Sequence, residues 1–130
     1  MPTAALVSFR LGRPDGVSVV AESWRRALTE LGFTVTTVAG VGEADHLVRG
    51  LAFDSVELPD EAHLATAIDG ADVVIAENIL SIPLNLAASR AVARVLRVRW
   101  LITTSAPSMA VARSASSGDS VLSKARPLTR

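Results

Sequence analysis

Two short stretches of the 130-residue chain carry residue types that could do chemistry. The first is Arg10-Leu11-Gly12-Arg13-Pro14-Asp15-Gly16-Val17-Ser18, set between a short apolar run at 4–7 and an amphipathic run at 17–31. Glycine lets backbone approach a ligand closely, and the free N–H groups at a helix start attract phosphate or sugar oxygens. On that reading the backbone N–H groups of the loop at Gly12, Gly16 and Ser18 face the ligand, Asp15 stands outside it or caps the helix, and Arg10 and Arg13 could engage phosphate. The plainer alternative is that Gly16 makes the turn, Asp15 caps the helix, and Arg10 and Arg13 are solvated. The second stretch is Glu77-Asn78, directly behind the apolar run 71–76. A parallel strand delivers the side chains at its carboxyl end into the crevice where α/β folds hold ligands. A carboxylate there could take a proton from a hydroxyl or simply hydrogen-bond it. The competing reading is a polar pair that satisfies a neighbouring loop. The catalytic residue, if there is one, is not legible.

Those residues need a scaffold, and the hydrophobic periodicity supplies one. Residues 4–9 read as a buried first strand. The following helix sets Val17, Val20, Ala21, Trp24, Leu28 and Leu31 on one face, with Glu22, Arg25, Arg26 and Glu30 opposite, and Gly32 ends it. Residues 33–38 are β-branched and aromatic, hence a second strand. Between 43 and 58 the pattern weakens: a short helix at 44–51 and an edge strand at 55–58 are expected. Pro59-Asp60-Glu61 starts a helix continuing to Ile68, and residues 71–76 form a central strand. A last helix covers 84–96, with Ser81 at its cap or just before it and Pro83 in its first turn; Asn85 is expected to bond backbone at that helix start. Trp100 to Thr104 could add a fifth strand. The expectation is an α/β, Rossmann-like, doubly wound parallel sheet of order 3-2-1-4 over residues 1–104, with an irregular Ser/Ala/Arg-rich tail at 105–130.

Composition narrows the classes. Net charge is zero, which points to neither nucleic acid nor an anionic membrane as a partner. The absence of cysteine excludes disulfides, a thiolate nucleophile and cysteine metal sites. His46 and His63 lack metal-ligand spacing, so neither a metal nor a cofactor is expected. No apolar run is long enough to span a bilayer, and no signal peptide is evident at the N-terminus, so a cytoplasmic protein is expected. The charge is unevenly spread: residues 1–97 hold 8 Arg against 12 Asp and Glu, net −4, and residues 98–130 are net +4.

Arg10 to Ser18 with Trp24-Arg25-Arg26-Ala27-Leu28 and Leu31-Gly32-Phe33-Thr34-Val35, and the later stretch Ala71-Asp72-Val73-Val74-Ile75-Ala76-Glu77-Asn78-Ile79-Leu80-Ser81-Ile82-Pro83-Leu84-Asn85, resemble the N-terminal domain of family 4-type glycosyltransferases of GT-B architecture. The resemblance covers about residues 4–97. It implies an acceptor-side domain, with a nucleotide-sugar and a sugar or lipid acceptor as the family's ligands. It implies substrate contact by Gly12, Arg13, Asp15, Gly16, Ser18, Glu77 and Asn78. In this family a C-terminal domain holds the donor, so the 130 residues alone are expected to be inactive. Other readings are a small flavodoxin- or receiver-like binding domain, or a subunit that completes its cleft with a separate donor-binding chain. Against a receiver, strand one ends in Ser8-Phe9-Arg10 rather than in acidic residues. Against a flavodoxin, the first loop is poor in Ser and Thr.

After Arg97 the family pattern stops. A Gly-Arg-Pro turn, a strand and a His-His-Asp-type cluster are expected there, and Arg97-Val98-Arg99-Trp100-Leu101-Ile102-Thr103-Thr104 stands instead. The change in charge at the same point fits a shifted reading frame. On that hypothesis the coding sequence, read in its other frames past the Arg97 codon, resumes the family pattern; if no frame does so, the hypothesis fails.

Overall fold

The computed structural model describes the backbone of residues 1–82, 84–106 and 109–114, and the side chains of 1–82 and 84–96. Strand β1 (Thr3–Leu11) is the apolar run, extended at both ends and buried along nearly all its length. Its register with β2 (Thr34–Gly42) is parallel, from Thr3↔Thr34 to Leu11↔Gly42. Helix α1 (Gly16–Glu30) makes the crossover between them, and Gly32 turns the chain at φ +93. Strand β3 (His46–Leu47) pairs with the outer edge of β2, and helix α2 (Glu61–Ala67) leads back across to β4 (Val73–Glu77), parallel to β1 on its other side. The four strands form the parallel order 3-2-1-4. Helix α3 (Leu86–Arg99) follows, then β5 (Trp100–Ala106) and β6 (Met109–Ser114). β6 pairs antiparallel with β4, and β5 forms the sheet edge beyond it. The fifth strand expected at 100–104 is therefore present, but as the edge of a hairpin. Within 105–130, where the sequence shows no regular pattern, Met109–Ser114 runs as a strand; residues 115–130 lie outside the described residues.

The two sheet faces carry separate cores. Ala5, Val7, Phe9, Val74 and Ala76 pack with Leu64 and Ile68 at α2 and Ala88, Val92 and Leu96 of α3. On the opposite face Ala4, Leu6, Ala39 and Ile75 pack with Ala21 and Leu28 of α1. Strands buried on both faces read as continuous apolar runs, which is why β1 and β4 are conspicuous in sequence.

Residues 44–51 form no helix and 55–58 no strand. Asp45 and Thr37 explain this: the Asp45 carboxylate accepts from the Thr37 N–H (2.9 Å) and hydroxyl (3.1 Å), and the Asp45 N–H donates back to that hydroxyl (2.9 Å). This exchange draws residues 44–48 alongside β2, where His46 and Leu47 pair as a strand, and leaves Val56 and Leu58 exposed in a loop. Helix α1 is also rotated from its expected seating. Ser18, Ala21 and Leu28 are buried, and Val20 and Leu31 are 48% and 74% exposed. Among the described elements α1 alone packs on that face, so its flank toward β4 has no neighbouring helix to bury it.

Ser81 does not cap α3, which begins two residues later than expected; Pro83 lies outside the described residues. Asn85 does, its Oδ1 accepting from the Ala88 N–H at 3.1 Å. Its amide also donates to the carbonyls of Gly50 (3.2 Å) and Ala52 (2.7 Å), tying the β4–α3 loop to the β3–α2 loop. Asn85→Ala removes the cap and leaves both carbonyls without their donor, and we expect it to cost about 2–3 kcal/mol in urea unfolding. Asn85→Asp keeps the capping oxygen but sets a carboxylate oxygen against both carbonyls, and should cost at least as much.

Candidate functional site

The chain leaves β1 in one direction through α1 to β2 and β3, and returns on the opposite face through α2 to β4. Connections thus diverge between β1 and β4, and open α/β sheets bind ligands in the crevice above such a point. The two stretches singled out in sequence meet here: the loop after β1 and the end of β4.

The loop is built around Asp15. Its Oδ1 accepts from the Ser18 N–H at 2.9 Å, capping α1, and its Oδ2 lies 3.1 Å from Arg10 Nε. The Ser18 amide and hydroxyl and the Arg10 guanidinium hold the Asp15 carboxyl below its ordinary value. Ser18 in turn accepts from the Arg13 N–H at 3.2 Å and is buried. Arg10 also lies over the Phe53 ring, 5.0 Å from its centroid, so its guanidinium is held by protein partners. Gly12 has φ +70, and a Cβ there would meet the Glu43 Cβ at 2.5 Å; the turn requires glycine. Gly16 is the first residue of α1, with open space around it, which fits the plainer reading of this position as a turn residue.

Glu77 ends β4 and is 2% exposed, and among the described residues neither of its carboxyl oxygens has a hydrogen-bond partner. Burial, reinforced by the charge of Asp15, pushes its carboxyl up to about 7. Asn78 follows in the left-handed region at φ 61, a conformation asparagine tolerates, and its carbonyl accepts from the N–H groups of Ser81 and Ile82. The backbone thus turns away sharply and leaves Glu77 under the start of α1.

Ser8 belongs to the same place. β1 and β4 pair as Leu6↔Ile75 and Val7↔Ala76, and one further step sets Ser8 beside Glu77. Ser8 is fully buried, and its hydroxyl has no partner among the described residues. In sequence it disappears into an apolar strand, although it is the one polar residue of the run 4–9.

The other flank of α1 borders a separate groove of about 500 Å³, lined by Gly12, Arg13, Ser18, Arg25, Thr37 and Glu43 among others. Glu77 does not line it. The sequence-expected residues therefore divide: Asp15 and Glu77 interact at the switch point, whereas Gly12 and Arg13 border the groove toward β2, with Ser18 between. His46 and His63 meet edge to face, ring centroids 6.1 Å apart. Among the described residues no helix is long and apolar enough to cross a membrane.

The fold and this crevice define a Rossmann-like α/β domain. No family model, curated protein or solved structure matches the chain.

Because the folded chain raises the Glu77 carboxyl from 4.5 to about 7, it holds a proton that the unfolded chain releases. Its stabilising contribution is complete below pH 4.5 and is lost as pH rises through 7, a difference of about 3 kcal/mol. Thermal melting should fall between pH 5 and pH 8, and Glu77→Gln should flatten that slope. A melting temperature equally steep in the variant would assign the slope to other groups.

Proposed function

We propose that this domain is the acceptor-side half of a sugar-transferring enzyme of GT-B type, in which a second domain brings the nucleotide-sugar. The observation that carries the reading is Glu77, a buried carboxyl without a partner among the described residues, at the topological switch point and facing the ionised cap of α1. A buried polar group without a partner is rare in folded proteins and calls for a bound group to complete it. In a cleft enzyme of this architecture, the carboxyl ends of β1 and β4 would form one wall. Glu77 would hydrogen-bond an acceptor hydroxyl there, and the Gly12–Ser18 loop would border it. The sugar donor, with its diphosphate, would belong to the opposite wall, and the transfer step would take place between the two.

The 130-residue chain should therefore bind simple sugars and polyols weakly, with amide shifts in nuclear magnetic resonance spectra confined to residues 8–18 and 77–82. It should transfer no sugar, and UDP-glucose and GDP-mannose should not saturate it below millimolar concentration. Tight, saturable nucleotide-sugar binding by this chain alone would overturn the assignment of the acceptor side.

A further inference from the structure

We propose that Ser8 and Glu77 together form a buried anchor for one uncharged hydroxyl of the ligand. The inference rests on the sugar-binding reading above and adds a second contact residue, a ligand chemistry and a pH dependence to it.

The geometry comes from the sheet. Side chains alternate along parallel strands, so Leu6 and Ile75 on the α1 face are followed on that face by Ser8 and Glu77. Continuing the register one step past Val7↔Ala76 puts Ser8 and Glu77 on neighbouring strands, and the Ser8 hydroxyl and both Glu77 carboxyl oxygens are buried and without a partner among the described residues. Native chains leave few such atoms, and three at the carboxyl ends of adjacent strands mark a place where another polar group fits.

Their chemistry selects the group. A protonated carboxyl and a serine hydroxyl each donate one hydrogen bond and accept others, and a ligand hydroxyl can answer both at once. An anion would meet the charge of Asp15. Among the described residues the charge that acts on Glu77 is that of Asp15 at the start of α1, itself paired with Arg10 on β1, and Asn78 is neutral. Met109 and Ala110, the β6 residues paired with the end of β4, have no titratable group. A cationic ligand would instead require Glu77 ionised. Hydroxyl and ammonium ligands thus predict opposite pH dependences.

The test uses the full chain, labelled with ¹⁵N and titrated with D-glucose, D-mannose and myo-inositol at pH 6 and pH 8, with ethylammonium as the cation control. With a carboxyl titrating at about 7, sugar binding should weaken about tenfold from pH 6 to pH 8. Glu77→Gln keeps a donor and an acceptor but cannot titrate, and should remove the pH dependence. Ser8→Ala should weaken binding at pH 6 severalfold without lowering the melting temperature, because the hydroxyl it removes has no partner among the described residues. If Ser8→Ala does not fold, the Glu77→Gln comparison still decides the proton linkage. Sugars that bind equally at both pH values, or equally to Ser8→Ala, overturn the anchor and leave the sugar-binding reading standing. Ethylammonium binding that strengthens at pH 8, with no sugar response, replaces the hydroxyl site with a cation site. No response to any sugar at either pH removes the anchor together with the functional reading.

Discussion

The structure depends on the central position of β1. It is hydrogen-bonded on both sides, to β2 and to β4, and covered on both faces, by α1 on one and by α2 and α3 on the other. Because the connections from β1 and to β4 run on opposite faces, the space above their carboxyl ends is where open α/β sheets hold ligands, and Ser8 and Glu77 lie buried beneath it.

What fills that space is the departure from ordinary packing. Among the other described residues the buried polar groups are satisfied: Asn85 spends its amide on two carbonyls and its oxygen on a cap, and Ser18 accepts from the Arg13 amide. At the ends of β1 and β4 the opposite holds. Ser8 and Glu77 are buried without partners among the described residues, and an ionised Asp15 stands close enough to raise the Glu77 carboxyl further. Stability alone would favour apolar residues at both positions, since a buried hydroxyl or carboxyl without a partner loses its hydration for nothing. Residues that weaken the fold where ligands bind are the pattern expected of a site.

Much of this is legible in the sequence, and the rest is hidden for identifiable reasons. β1, β2, β4 and the helices at 17–31 and 61–68 follow from apolar runs and from turn residues, which act locally. β3 escapes such reading because its position is set by the Thr37–Asp45 exchange, a tertiary contact in a segment of weak periodicity. The apolar stripe of α1 includes Val20 and Leu31, and periodicity alone cannot tell which flank of a wide stripe finds a neighbour. Glu77 is visible because a polar residue closing an apolar strand is a sequence-level signal. Ser8 is not, because its importance lies in standing beside Glu77, a residue far along the chain, which only the register discloses. Arg10 and Arg13 look equivalent as loop arginines, yet one is bound to Asp15 and Phe53 and the other borders a groove.

The carboxyl ends of β1 and β4 hold Glu77 buried, without a partner among the described residues and with its carboxyl raised toward neutrality. A ¹³C-detected titration of the Glu77 side-chain carboxyl in the folded chain measures this directly. The expected midpoint is about 7. A midpoint in the ordinary carboxylate range, about 4.3, would show Glu77 to be solvated or already paired, and would contradict it.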